Sequence, residues 1–261
     1  MMVVKFGGHA MKDEDGGFAR AISAAHAIGE TVVVIHGGGP QIDAALKQQG
    51  IQSHFVGGFR YTTQEVFEVV EDVLVNHVGP EVAQGLTQAG IKAQPFSGRE
   101  LPTLIGEKKT RLVDGTSVDL GQVGDVVRVN CKKIVELVAD GIVPVISPIA
   151  SDKNTGQGLN VNADLAAAAI AGELDATSLI IMTDVPGIYR NWPDKTSLIE
   201  QITNSELEAI KTSFAEGMAP KVQAALEAIT AGAKAVRVID GTSPTSFADA
   251  LRGTGGTLVI K

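Results

Sequence analysis

The chain has 261 residues, 44% of them hydrophobic and 20% charged, enough for a large core in one α/β domain or two closely packed lobes. Its 22 Lys and Arg against 30 Asp and Glu give a net charge of −8, the wrong sign for a nucleic-acid surface, so an anionic ligand must be drawn in by local positive groups. No apolar run reaches the ~18 residues of a membrane span, the start lacks the pattern of a secretion signal, and a single cysteine, Cys131, excludes an internal disulfide; a cytoplasmic protein is expected.

Val3-Val4-Lys5-Phe6-Gly7-Gly8 reads as a short strand ending in a glycine pair, with Lys5 where the strand meets its turn. Ligands of open parallel sheets gather at the carboxyl ends of strands, so Lys5 either faces a ligand or snorkels from an edge. An Ala-rich helix over 18–28 leads to a β-branched strand at 31–35. Then comes His36-Gly37-Gly38-Gly39 and a helix with Pro40 in its first turn. Strand, glycine turn and helix N-terminus make an anion site: backbone N–H groups are open, no Cβ blocks approach, and the helix dipole favours negative charge. The stretch matches neither the Walker loop nor the dinucleotide fingerprint.

Gly57-Gly58 opens a loop carrying Arg60, a guanidinium suited to a bidentate grip on a carboxylate or to a surface pair with a nearby acid. Thr62 or Thr63 caps a helix over about 64–78. Short strand-like runs at 101–121 surround the Asp114-Gly115 turn, which predicts an antiparallel hairpin lying as a flap on the sheet edge. A helix at 130–140 and a strand at 142–147 resume the alternation, and 151–158 reads as a loop.

Leu159-Asn160-Val161-Asn162-Ala163-Asp164 then enters an alanine-rich helix. Asn160 and Asn162 share a side while the chain is extended; Asn162 suits the N-cap and Asp164 the first turn. Capping leaves Asn160 without a task. A strand at 178–183 runs into Asp184-Val185-Pro186-Gly187-Ile188-Tyr189. The loop 190–195 holds the only tryptophan, Trp192, a base cover or a packing anchor. Gly217-Met218-Ala219-Pro220-Lys221 opens a helix to about residue 231. A lysine at the positive end of a helix is unfavourable by about 0.3–1 kcal/mol, which makes sense if helix end and lysine face one polyanion. Strands at 235–239 and 257–260 close the sheet. Repeated β-α alternation predicts a three-layer αβα sandwich around a central, mostly parallel sheet. Its glycine turns and strand-end lysines fit phosphoryl transfer, where catalysis is mostly positioning and charge neutralisation.

The chain resembles the amino acid kinase family, and within it the branch acting on N-acetyl-L-glutamate. The resemblance rests on Val4-Lys5-Phe6-Gly7-Gly8, His36-Gly37-Gly38-Gly39-Pro40-Gln41-Ile42, Gly57-Gly58-Phe59-Arg60, Asn160-Val161-Asn162-Ala163-Asp164, Thr183-Asp184-Val185-Pro186-Gly187-Ile188-Tyr189 and Gly217-Met218-Ala219-Pro220-Lys221-Val222, in family order over nearly the whole length. The Trp192-Pro193-Asp194 loop is similar to the actinobacterial members.

The resemblance implies a single domain with an acyl-substrate and dimerisation lobe at about 1–170 and an ATP lobe at about 171–261. It implies transfer of the ATP γ-phosphate to the side-chain carboxylate of N-acetyl-L-glutamate, in arginine biosynthesis. Lys5 and Lys221 would neutralise the phosphoryl group from opposite sides, Asp164 would hold both lysines, and the N–H groups of Gly37 and Gly38 would receive its oxygens and the attacking carboxylate. Arg60, Asn160 and Asn162 would bind the acylated substrate. Gly7, Gly8, Asp184, Gly187, Tyr189, Gly217 and Lys221 would bind ATP, with Mg²⁺ held through the nucleotide phosphates and no metal site of the protein's own. No general base is required, because the nucleophile is already a carboxylate; His36 is therefore expected to be structural. Arginine-inhibited members resemble one another in an N-terminal helix before the first strand and a C-terminal His that this sequence lacks, so an arginine-insensitive homodimer is expected. The rival expectations are a sister kinase for carrier-linked α-aminoadipate, another amino acid kinase, and a catalytically idle nucleotide-binding subunit.

Overall fold

The computed structural model describes residues 1–7, 16–112, 114–214, 218–243 and 245–261. The chain runs β1 (Met2–Phe6), α1 (Gly17–Ala27), β2 (Val32–His36), α2 (Gly39–Gln48), β3 (Phe55–Val56), β4 (Phe59–Arg60) and α3 (Gln64–Asp72). A π-helical segment, Val73–Val78, joins α3 to α4 (Gly79–Gln88). There follow β5 (Ala93–Ser97), β6 (Leu104–Lys108), β7 (Val123–Val129), α5 (Lys132–Ala139), β8 (Val143–Ser147), β9 (Ile149–Asp152) and β10 (Gly158–Val161). The last third is α6 (Ala163–Glu173), β11 (Ser178–Thr183), β12 (Gln201–Thr203), α7 (Asn204–Ile210), α8 (Ala219–Ala231), β13 (Ala235–Asp240), α9 (Ser246–Leu251) and β14 (Thr257–Ile260).

Eight strands form one sheet in the order β12-β14-β13-β11-β1-β2-β8-β5, parallel except where β13 meets β14. β1, β2 and β11 are apolar and β-branched almost throughout, as strands covered on both faces must be. The pleat sorts their side chains. Val3, Val33, Ile35, Leu179 and Ile181 pack with α5, α6 and α8, whereas Met2, Val4, Phe6, Val34 and Ile180 pack with α1 and α9. Lys5 follows Val3 by one pleat period, so it faces the α6–α8 layer. The expected three-layer sandwich is what the chain forms, and its sheet runs unbroken through both expected lobes.

Two expectations need correction. Residues 101–121 do not make a flap on the sheet edge. β6 and β7 pair antiparallel, β9 and β10 do likewise, and the four close into a small barrel separate from the main sheet. Among the described residues, a short turn around Asp114-Gly115 keeps the hairpin character, with a bridge between Arg111 and Ser117. The barrel closes because Gly106 and Gly124 make room for Leu159; a Cβ at Gly124 would lie 2.8 Å from that of Leu159. The helix expected over 64–78 does begin at a Thr63 cap, which accepts from the Val66 N–H. It then passes through the π segment into α4, beyond the expected end and across Gly79-Pro80. A proline removes one N–H and clashes with the carbonyl four residues back; a wider turn accommodates both effects.

Candidate active site

The three charged side chains expected at the centre meet at one place. β1 delivers Lys5 from the sheet, while α6 and α8 deliver Asp164 and Lys221 from their first turns. Asn162 follows β10 and caps α6, its Oδ1 accepting from the N–H groups of Asp164 and Leu165, and this cap fixes where α6 begins and so where Asp164 stands. Lys5 Nζ lies 3.0 Å from Asp164 Oδ1, and Lys221 Nζ donates to Asp164 Oδ2 at 3.3 Å. The Lys5 contact is an ion pair off hydrogen-bond alignment, so Oδ1 has no true hydrogen-bond donor; Lys5 Nζ donates to the Met182 carbonyl at 3.4 Å.

Asp164 is buried, and burial alone would raise its pKa; Lys221 and then Lys5 outweigh that and bring it down to about 2. Lys221 is shifted upward, chiefly by Asp164, against the opposing pull of its own burial. Asp164 is therefore ionised between two lysines, with Asp184 adding a weaker negative field at Lys221, so positive side chains gather here in a protein of net charge −8. That is a local anion trap.

The glycine turns give these groups room. A Cβ on Gly7 would stand 2.9 Å from both Cε and Nζ of Lys5, and one on Gly38 would stand 2.5 Å from Leu74 Cδ2. The Gly37 N–H donates to the Phe6 carbonyl at 2.7 Å. Of the two amides expected to take up oxygens, only that of Gly38 is open among the described residues, and the Gly39 N–H is open beside it. Both sit at the N-terminus of α2, where unpaired donors and the dipole favour an anion. Gly8 and Gly217 lie outside the described residues.

A second group forms at β4. Arg60 is buried and bonds Asp43 at 2.8 Å and Ser53 Oγ at 2.7 Å, with its guanidinium 4.6 Å over the Phe55 ring. Asn160 Nδ2 donates to Thr62 Oγ1 at 3.0 Å, and Thr62 donates to the Arg60 carbonyl at 2.7 Å. Arg60 and Asn160, far apart in sequence, thus join through Thr62. Sequence reasoning took Thr62 only as a possible cap; the trace of its second role is that Thr63 alone suffices for capping.

A cavity of about 540 Å³ adjoins Lys221, lined by Asp184, Tyr189, Trp192, Phe214 and Met218 among others. Trp192 is 58% exposed and meets Tyr189 edge-on at 5.3 Å, so it is no buried anchor. A Cβ on Gly187 would lie 2.5 Å from Thr257 Oγ1, the atom that accepts the Ile188 N–H, so close packing against β14 calls for glycine there. A cavity of similar size between β7, α6 and α8 contains neither lysine and takes no part in this chemistry. Among the described residues no three His, Cys, Asp or Glu converge as metal ligands, and no helix is long and apolar enough to cross a membrane.

An open parallel sheet with a lysine-bracketed, glycine-lined anion site at its strand ends, beside an aromatic cavity, defines a phosphotransferase. The model of the amino acid kinase family matches residues 1–240. The acetylglutamate kinase of Arthrobacter sp. (strain FB24) is 45% identical over 253 residues, covering 94% of this chain and 82% of that protein, and that of Corynebacterium jeikeium (strain K411) is 42% identical over 98% and 81%. A solved structure of a Streptococcus mutans UA159 protein superimposes with a TM-score of 0.81 at 28% identity, covering 99% of this chain and 98% of that one. The carbamate kinase of Giardia lamblia bound to AMP-PNP, at 0.71 and 22% identity, shares the fold. The chain belongs to the amino acid kinase family, and is an ATP-dependent kinase.

Proposed function

We propose that the protein transfers the γ-phosphate of ATP to the side-chain carboxylate of N-acetyl-L-glutamate, giving N-acetyl-L-glutamyl 5-phosphate and ADP in the second step of arginine biosynthesis. The acceptor is chosen by the relatives, which are named acetylglutamate kinases across most of this chain. The chemistry is supported above all by the Lys5–Asp164–Lys221 cluster.

A carboxylate oxygen attacks Pγ, a P–O bond forms, and the bond from Pγ to the bridging oxygen of ADP breaks. Charge spreads over the phosphoryl oxygens in between. Lys5 and Lys221 neutralise that charge, each worth roughly 4 kcal/mol at 4 Å and an effective dielectric near 20. Asp164 holds both ammonium groups apart in the interval between substrates. The Gly38 N–H supplies a fixed donor, and the N-terminus of α2 adds its dipole. Arg60, with Asn160 and Asn162, takes the acylated amino acid; Arg60 exchanges Asp43 for the substrate's α-carboxylate. Adenine and ribose occupy the cavity of Asp184, Tyr189 and Trp192, with Gly7 near the phosphates. Mg²⁺ arriving with the nucleotide would add charge neutralisation beside Lys5 and Lys221. No proton needs to be moved, because a carboxyl group is ionised at neutral pH.

The reading places the enzyme in the cytoplasm as a homodimer, for which the open edge at β5 offers unpaired strand groups. Coupled ADP release across N-acetylglutamate, glutamate, aspartate, carbamate and UMP tests the reading. The expected preference is for N-acetylglutamate, with turnover lowered at least about 10²-fold in Lys5→Ala and Lys221→Ala, the cost of losing a preorganised charge. Preference for another acceptor, or near-normal turnover in either variant, contradicts it.

A further inference from the structure

We infer that His36 is a positioning residue for phosphoryl transfer: its Nδ1–H holds the Gly37 carbonyl and so aims the Gly38 N–H into the anion site. The inference rests on the reaction proposed above.

The ring is fully buried between β2, β8 and the π segment. Its Nδ1 lies 2.8 Å from the Gly37 carbonyl oxygen and its Nε2 lies 2.8 Å from Ser147 Oγ. A carbonyl only accepts, so Nδ1 carries a hydrogen. Burial, partly offset by the Gly37 bond, depresses the ring's pKa to about 4, which leaves one ring proton at neutral pH. Nε2 is then a bare acceptor, and Ser147 donates its hydroxyl hydrogen to it. The Leu74 carbonyl, 3.1 Å from Ser147 Oγ, does not depend on that hydrogen, because the Gly79 N–H already donates to it across the π turn. The network closes with a neutral imidazole in a single tautomer.

What this does follows from peptide planarity. The Gly37 C=O and the Gly38 N–H belong to one trans peptide and point in opposite directions. Holding the carbonyl against the ring turns the N–H outward, and among the described residues that N–H has no partner. Gly37 borders Lys5, since a Cβ on it would be 4.0 Å from Lys5 Cε. The ring cannot swing away, because Gly79 abuts it; a Cβ on Gly79 would be 3.1 Å from Nε2. Glycines on both sides of this peptide leave it free to rotate, and the imidazole removes that freedom.

Two substitutions separate the ends of the ring. In His36→Asn the amide nitrogen overlays Nδ1 and still donates to Gly37. In His36→Gln the amide reaches towards Ser147 and leaves the Gly37 carbonyl free. With N-acetylglutamate as acceptor, H36N is expected to keep kcat within about fivefold of native, and H36Q to fall at least about tenfold below H36N, the effect of one aimed donor. KM for both substrates stays within about threefold in each, because a contact made in the transition state acts on kcat. Should either variant fail to fold, long-range ¹H–¹⁵N correlation on the native protein decides the matter. A neutral Nδ1–H ring supports the assignment; an Nε2–H ring or a doubly protonated one at pH 7 overturns it. Equal kcat losses in the two variants also overturn it while leaving the reaction standing, whereas a native enzyme inactive on N-acetylglutamate overturns both.

Discussion

Gly7 lies against the tip of Lys5, on the side where the phosphates are proposed to bind. Its missing side chain is the space that Lys5 Cε and Nζ occupy, each 2.9 Å from where a Cβ would be. A lysine tip moves easily, so Gly7→Ala should displace the ammonium group without disturbing the core, and alanine there costs the unfolded chain entropy. The expected outcome is a melting temperature little changed, the entropy lost by the unfolded chain offsetting a loosened Lys5–Asp164 pair, with kcat reduced at least about tenfold, since a preorganised charge is lost. Retained turnover would mean that the position of Lys5 does not matter. Asp164 carries a pH signature. Its pKa is about 2 in the folded state against an ordinary 3.8, so the stabilisation is complete above the unfolded value and disappears as pH falls towards 2. The shift corresponds to about 2 kcal/mol. Urea midpoints of native protein should therefore drop more steeply between pH 5 and pH 2 than those of Asp164→Asn, although the variant starts lower at pH 7, by about 3 kcal/mol, because two buried ammonium groups lose their partner. Parallel acid profiles would show that Asp164 is not held ionised by the lysines.

The elements that carry the site are α6 and α8, parallel helices whose N-termini bring Asp164 and Lys221 together and whose C-terminal ends bring Gly172 to Ala231. The alanine-rich sequence of α6 serves this approach: nearly every residue from Asp164 to Gly172 is buried, and small side chains let α8 lie close. A methyl group on Gly172 would overlap the Ala231 Cβ, which belongs to a rigid helix and cannot yield. Gly172→Ala should destabilise by about 1–3 kcal/mol, the range for overpacking a tight core, read as a lower urea midpoint. An unchanged midpoint would mean that the helices are not in this contact. These helices were legible in the sequence because caps and composition announce them: Asn162 and Asp164 for α6, Pro220 for α8. α4 was not, because Gly79-Pro80 is a local stop signal, and only tertiary packing against β5 and β8 makes a π turn worth forming. α7 carries a readable signal too, the Thr203–Glu206 capping box.

At the scale of the molecule, the layering of the central sheet between helices follows from alternating apolar strands and helices, which have few ways to bury themselves. The small barrel was hidden, since its strands carry polar residues that break a clean apolar run, and β7 pairs with β10 and β6 with β9 across long sequence separations. The same limit governs the site. Lys5, Asp164 and Lys221 were foreseeable as charges at strand and helix ends, whereas the link from Arg60 through Thr62 to Asn160 and the occupied N–H of Gly37 exist only once the chain is folded. The central claim is that two lysines, one from the sheet and one from α8, close on a single phosphoryl group with Asp164 between them. A crystal structure with AMP-PNP, Mg²⁺ and N-acetyl-L-glutamate measures it directly. The expected result is Nζ of Lys5 and of Lys221 within about 4 Å of the terminal phosphate on opposite sides, where each charge is worth most. Ammonium groups still turned to Asp164 and away from a well-ordered phosphate would contradict it.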